Sequence, residues 1–141
     1  MVPPQEISKT SALQREIEDL PWTGAGDGAK AAFLKAKEQK LAGGDLWFKL
    51  SMILYDAKYD EQALEAFEWV EKTSQNATEV FAAIVWQGHL LDLAGKREEA
   101  VQQYKKALEK SEGRSMRHDQ YRMEINRAWV QKRLKEPFRR E

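Results

Sequence analysis

The chain has 141 residues, 33% of them charged and 42% hydrophobic, with 23 basic and 23 acidic side chains and no cysteine. This is the balance of a single globular domain, and zero net charge announces neither a nucleic-acid nor an anionic-membrane partner. Without cysteine there is no disulfide, zinc–thiolate site or thiol nucleophile, and no apolar run approaches the ~20 residues of a membrane span.

The opening MVPPQEIS has neither a basic start nor an apolar stretch, so no signal peptide is visible. With Pro3-Pro4 in it, residues 1–9 read as a flexible lead-in. Thr10 or Ser11 is placed to cap a helix running to about Leu20, with Leu13, Ile17 and Leu20 on one face. Pro21 ends it, and PWTGAGDG is a turn-rich linker whose glycines match neither GxGxxG nor a P-loop. A second helix follows over about residues 28–41, with Ala29, Ala32, Phe33 and Ala36 on its apolar side, stopped by Gly43-Gly44. Residues 45–57 and 60–72 form the next helix pair, turning at Lys58-Tyr59, with Asp45 and Asp60 as N-caps.

After SQNATE, where Asn76 and Glu79 have capping-box spacing, comes FAAIVWQGHLLDLAGKREEAVQQYKKALEKSE, residues 81–112. It reads as two amphipathic helices around the turn Ala94-Gly95-Lys96. A last helix is expected over about Arg117–Lys135, leading to Pro137. By segment, residues 1–45 hold 6 basic and 7 acidic groups, 46–111 hold 8 and 11, and 112–141 hold 9 and 5. The acidic middle and basic end would steer an acidic partner toward the end.

The second helices repeat a small–large code. Ala100, Tyr104 and Ala107 are matched 37 residues earlier by Ala63, Phe67 and Val70, and a further 34 earlier by Ala29, Phe33 and Ala36. In the first helices the small position holds Gly88 and Ser51, with Ile84 and Trp47 four residues before it. These residues resemble the tetratricopeptide (TPR) repeat, a helix-turn-helix unit of about 34 residues. The resemblance implies an all-α, right-handed superhelix with a C-terminal capping helix. Its units would be a degenerate repeat at 10–42, repeats at 45–73 and 78–111, and the cap at 115–136, one domain over 10–141. Continuing the register puts Pro137 where the next second-helix alanine would fall, so the cap has no partner helix. The last stretch also resembles the closing helix of bacterial multi-domain TPR proteins, which implies a bacterial origin.

In TPR proteins the first helices line a concave groove that binds partner peptides. Here the resemblance assigns to that face Phe48, Lys49, Met52, Tyr55 and Asp56, then Val85, Trp86, His89 and Asp92, and finally Arg122, Asn126 and Trp129. Aromatic side chains at helical spacing equally suit a packed core, so open groove and core stand as alternatives. One TPR subclass grips chaperone C-termini with Lys and Asn on successive first helices. Only Arg122 and Asn126 match here, against Phe48, Met52, Val85 and His89 elsewhere, which argues against that ligand.

No catalytic constellation emerges. His89 with Asp92, and His118 with Asp119, offer two ligands each where a metal needs three or four, and there is no GxSxG elbow for a serine nucleophile. No cofactor is expected. Asn76-Ala77-Thr78 is a formal glycosylation sequon. The basic end, with Arg127, Lys132, Arg133, Lys135, Arg139 and Arg140 interleaved by Trp129 and Phe138, makes nucleic-acid contact a minor alternative. The reading is a non-catalytic scaffold binding a protein or peptide in its concave face. The alternative is a self-associating module of a larger protein, suggested by Trp69 on the outer side. Cytoplasmic location is expected, or else excision from an anchored or secreted protein.

Overall fold

A computed structural model describes the backbone of residues 4–140 and the side chains of residues 12–140. It is mostly helical, with α1 (Pro4–Asp19), α2 (Gly26–Gln39), α3 (Gly44–Asp56), α4 (Asp60–Thr73), α5 (Ala77–Leu93), α6 (Arg97–Leu108) and α7 (Arg127–Lys135). Each of α1 to α6 packs on its successor, and α6 packs on α7. Three-residue connections force α3 against α4, α4 against α5 and α5 against α6 as antiparallel neighbours. Among the described residues no helix is long and apolar enough to cross a membrane.

All nine small–large positions of the second helices are buried, with Phe33 the most exposed at 2%. Small residues let the helices close up, and large ones fill the space between consecutive pairs. Gly88 marks the tightest approach: an added Cβ would lie 2.5 Å from Tyr104 Cε1 and 2.8 Å from Cδ1. The Tyr104 hydroxyl donates to Asp92 Oδ2 at 2.7 Å, so the ring has no free direction in which to yield. Alanine normally gains about 1 kcal/mol over glycine inside a helix, whereas overpacking costs about 2–3 kcal/mol. Gly88→Ala is therefore expected to lower stability by about 1–2 kcal/mol in urea unfolding with an unchanged m-value. An unchanged or raised midpoint would mean that the Tyr104 ring moves freely.

The N-terminal boundary differs from expectation. The backbone is helical from Pro4, not from Thr10 or Ser11, because proline is tolerated in a first helical turn; residues 1–3 of the expected lead-in lie outside the described residues. Asp60 is not a cap either; it opens α4 without a side-chain capping bond and pairs with Arg140. Asn76 does cap α5, accepting from the amides of Thr78 and Glu79 at 2.9 and 3.1 Å. Glu79 reaches Ser74 Oγ at 2.6 Å in place of the Asn76 amide. Trp69 is not an exposed outer residue: it is half-buried and stacks on Trp47 at 5.2 Å and 7°.

The largest correction falls in the expected closing helix. Residues 116–125 form an antiparallel hairpin, β1 (Met116–His118) and β2 (Met123–Ile125), joined by a 3-10 turn at Asp119–Tyr121. Only Arg127–Lys135 is helical. The reason is local. Met116, His118, Met123 and Ile125 turn inward while Arg117 and Glu124 face outward, opposite each other across the ladder. Asn126, extended at φ −145°, caps α7 by accepting from the Trp129 amide at 2.9 Å, so the helix cannot begin earlier.

Candidate functional site

The face formed by α3 and α5 is not open. It is covered by the hairpin, α7 and the irregular residues 137–140. Trp86, fully buried, lies at its centre, with Tyr55 at 4.6 Å, His89 at 4.6 Å and Phe67 stacked at 5.7 Å between ring centroids. The covering segment supplies the other half of this cluster. His118 stacks on Phe48 at 6.1 Å, and Phe138 stacks on His89 at 3.9 Å and 12°.

Two indole–imidazole hydrogen bonds fasten the cover. Trp86 Nε1–H donates to His118 Nε2 at 3.2 Å, and Trp129 Nε1–H donates to His89 Nε2 at 2.9 Å. Both imidazoles must be neutral at Nε2 to accept, and both are held in that state. Burial pushes His118 down to about 4. Burial pushes His89 well below the usual histidine range, helped by the nearby charge of Arg133.

Asp92 is the second fastening. Its side chain is 1% exposed. It accepts from Arg97 Nη1 at 3.1 Å, from the Tyr104 hydroxyl at 2.7 Å and from the Phe138 amide at 2.9 Å. Arg97 Nη2 then donates to the Arg133 and Leu134 carbonyls at 2.8 and 3.1 Å, satisfying acceptors that the end of α7 leaves free. Burial, then the bond to Asp92, raises the Tyr104 phenol far above its ordinary range. At the far end, Arg140 lies 4.6 Å over the Tyr55 ring, pairs with Asp60 at 2.5 Å and donates to the Tyr55 carbonyl at 3.3 Å.

The residues expected on the concave face thus separate into groups. Phe48, Met52, Tyr55, Trp86 and His89 converge, but as buried core under the cover, as does Val85. Asp92 joins the ion-pair hub. Lys49 points elsewhere, donating to the Glu18 carbonyl at 2.7 Å and lying 5.3 Å over Trp22. Arg122 and Asn126 are not on a helix with Trp129: Arg122 turns the hairpin and Asn126 is the α7 cap.

What stays open is a cleft of about 560 Å³ beside the cover. Tyr55, Asp56, Arg122 and Trp129, all expected on the groove, line it together with Lys58, Tyr121, Lys132, Arg133, Phe138, Arg139 and Arg140, which were not. The Tyr121 hydroxyl donates to Asp56 Oδ1 at 3.2 Å, and burial, with Asp56 nearby, raises its phenol to about 12. Lys58 sits in the turn between α3 and α4; the other missed residues are spread over the hairpin turn, α7 and the stretch beyond Pro137, where no single periodic pattern points at one face. Their one legible signal is the basic excess after residue 112. Comparison with protein-family models, curated proteins and solved structures finds no match to this chain.

Proposed function

We propose that the chain is a non-catalytic interaction module of TPR-like helix pairs that binds a protein segment on its concave face. One observation carries this reading: that face already holds an irregular stretch of the chain itself, residues 137–140, in the manner of a peptide. An aromatic anchor, Phe138, lies between His89, Trp86 and Tyr55. A main-chain amide is fixed on Asp92, and an arginine is fixed on Asp60 and the Tyr55 ring. A central aromatic in a desolvated pocket with charged pairs around it is the usual anatomy of an interaction hot spot. The partner segment this selects has an aromatic residue with an arginine two positions later, as Phe138 and Arg140 are spaced, and it competes with residues 137–140 for the same face.

The test uses the full chain and a labelled synthetic peptide of sequence Lys-Glu-Pro-Phe-Arg-Arg. An intramolecular ligand lowers apparent affinity in proportion to its occupancy. Phe138→Ala, which weakens the chain's own segment, is expected to bind the peptide at least about tenfold tighter than the parent. Failure of the folded Phe138→Ala chain to bind would overturn the reading. The same geometry favours a second reading, in which residues 116–140 are exchanged between two copies. A light-scattering mass that doubles with concentration in Phe138→Ala and parent alike would favour that exchange.

A further inference from the structure

The cleft beside the cover holds more positive charge than its surroundings neutralise. Six of its lining residues are cationic, and Asp56 is its one carboxylate. Arg140 is matched by Asp60. Lys58, Arg122, Lys132, Arg133 and Arg139 have no ion pair among the described residues.

Arg133 is the informative member. It is 8% exposed, its guanidinium lies 4.7 Å over the Trp129 ring, and its Nη1 makes one long contact of 3.5 Å to the Pro137 carbonyl. Its Nε is buried with no hydrogen-bond partner among the described residues. A buried guanidinium without a counter-charge is unfavourable, and an apolar side chain of similar volume normally replaces it at no loss of stability. The arrangement becomes favourable once an anion completes it.

Two further cations are held in place by backbone that lysine and arginine adopt only at a cost. Lys58 (φ 66°) and Arg122 (φ 51°) are left-handed. Lys58 occupies the αL position of the turn that closes α3, with Tyr59 N–H bonded to the Leu54 carbonyl at 2.9 Å. The corresponding turn after α5 has glycine there, Gly95 at φ 77°.

We propose that this cleft binds a small phosphorylated organic molecule, its phosphate on the Arg133, Arg122, Lys132 and Arg139 cations and its body against Tyr121 and Trp129. A single carboxylate would leave most of the charge unmatched. A phosphate monoester brings about −1.5 to −2 charges and three acceptor oxygens, and guanidinium forks match those oxygens. The cleft volume of about 560 Å³ lies within the range of small-molecule sites, roughly 300–1,000 Å³. This site is formed with the cover in place and residues 137–140 bound, so its test needs no partner peptide.

The experiment is calorimetric titration of the full chain, at fixed ionic strength, with phenyl phosphate, inorganic phosphate and benzoate. Phenyl phosphate is expected to bind at least tenfold tighter than benzoate and several-fold tighter than inorganic phosphate, which lacks the ring. Arg133→Met should melt no lower than the parent and lose at least tenfold in phenyl phosphate affinity. If Arg133→Met does not fold, the exposed pair Lys132→Gln with Arg139→Gln decides, with at least a fivefold loss expected. Equal binding of phenyl phosphate and benzoate, saturation by inorganic phosphate with equal affinity, or unchanged affinity in the folded variants would each overturn the proposal.

Discussion

Asp92→Ala is expected to destabilise the protein by about 3–4 kcal/mol, read as a lower urea midpoint. The carboxylate is 1% exposed and accepts hydrogen bonds from three partners in two parts of the chain: Arg97 and Tyr104 on α6, and the Phe138 amide beyond α7. Removing it strips the acceptor from a buried hydroxyl and a buried amide, at about 1–3 kcal/mol for each unsatisfied group. Arg97 adds less, because it is about a third exposed and regains water. The variant should also lose cooperativity between the helix pairs and the cover, since Arg97 binds the α7 carbonyls only while Asp92 orients it. A double-mutant cycle with Arg97→Ala should show strong coupling, the double variant costing less than the sum of the single ones. A loss below about 1 kcal/mol for Asp92→Ala would show that the carboxylate is not the hub the geometry makes it.

The helix pairs were legible because their signal is periodic and redundant. Ala29, Phe33, Ala36, Ala63, Phe67, Val70, Ala100, Tyr104 and Ala107 recur at 3.6-residue spacing in three copies, and each is buried. The expected concave face was legible as a set of residues that meet but not as a surface. Tyr55, Trp86 and His89 do meet, yet whether such a face is open depends on what lies over it. That cover comes from residues 116–140, where the pattern is weak. The alternations Met-Arg-His and Met-Glu-Ile are three residues long, too short to outweigh a helical reading of RHDQYRMEINRAW. The cue against that helix was Asn126, an N-cap residue in the middle of the expected span. Phe138 and Arg140 were read only as part of a basic end, and their place on the core was not legible for another reason. They lie past Pro137 without secondary structure, and only tertiary contact gives them a role.

The cover is also where acid should act. His118 and His89 accept hydrogen bonds from indole N–H groups, and a protonated imidazole has no acceptor nitrogen. In the unfolded chain both titrate near 6.5. In the folded chain His118 titrates at about 4, and His89 well below its usual value. Between pH 6.5 and 4 the unfolded state therefore binds protons that the folded state refuses, and stability falls as pH falls. Above about 6.5 both states are neutral and the contribution is fully present. For His118 a depression of this size is worth about 2–3 kcal/mol after allowing for its partial exposure, and buried His89 adds to it. Urea unfolding at pH 7, 6, 5 and 4.5 should show a steepening loss, up to about 1.4 kcal/mol per pH unit for each refused proton. His118→Gln keeps an acceptor facing Trp86 but does not titrate, so it should remove its share of the slope and leave the His89 share. A stability that stayed flat from pH 7 to pH 5 would sink the neutral-acceptor account. The first structural change on acidification should be release of residues 116–140, followed as a change in Trp86 and Trp129 fluorescence before helix content falls. The helix pairs themselves place no histidine against the cover except His89, whose Nδ1 has no partner among the described residues. Protonation there opposes the neighbouring charge of Arg133.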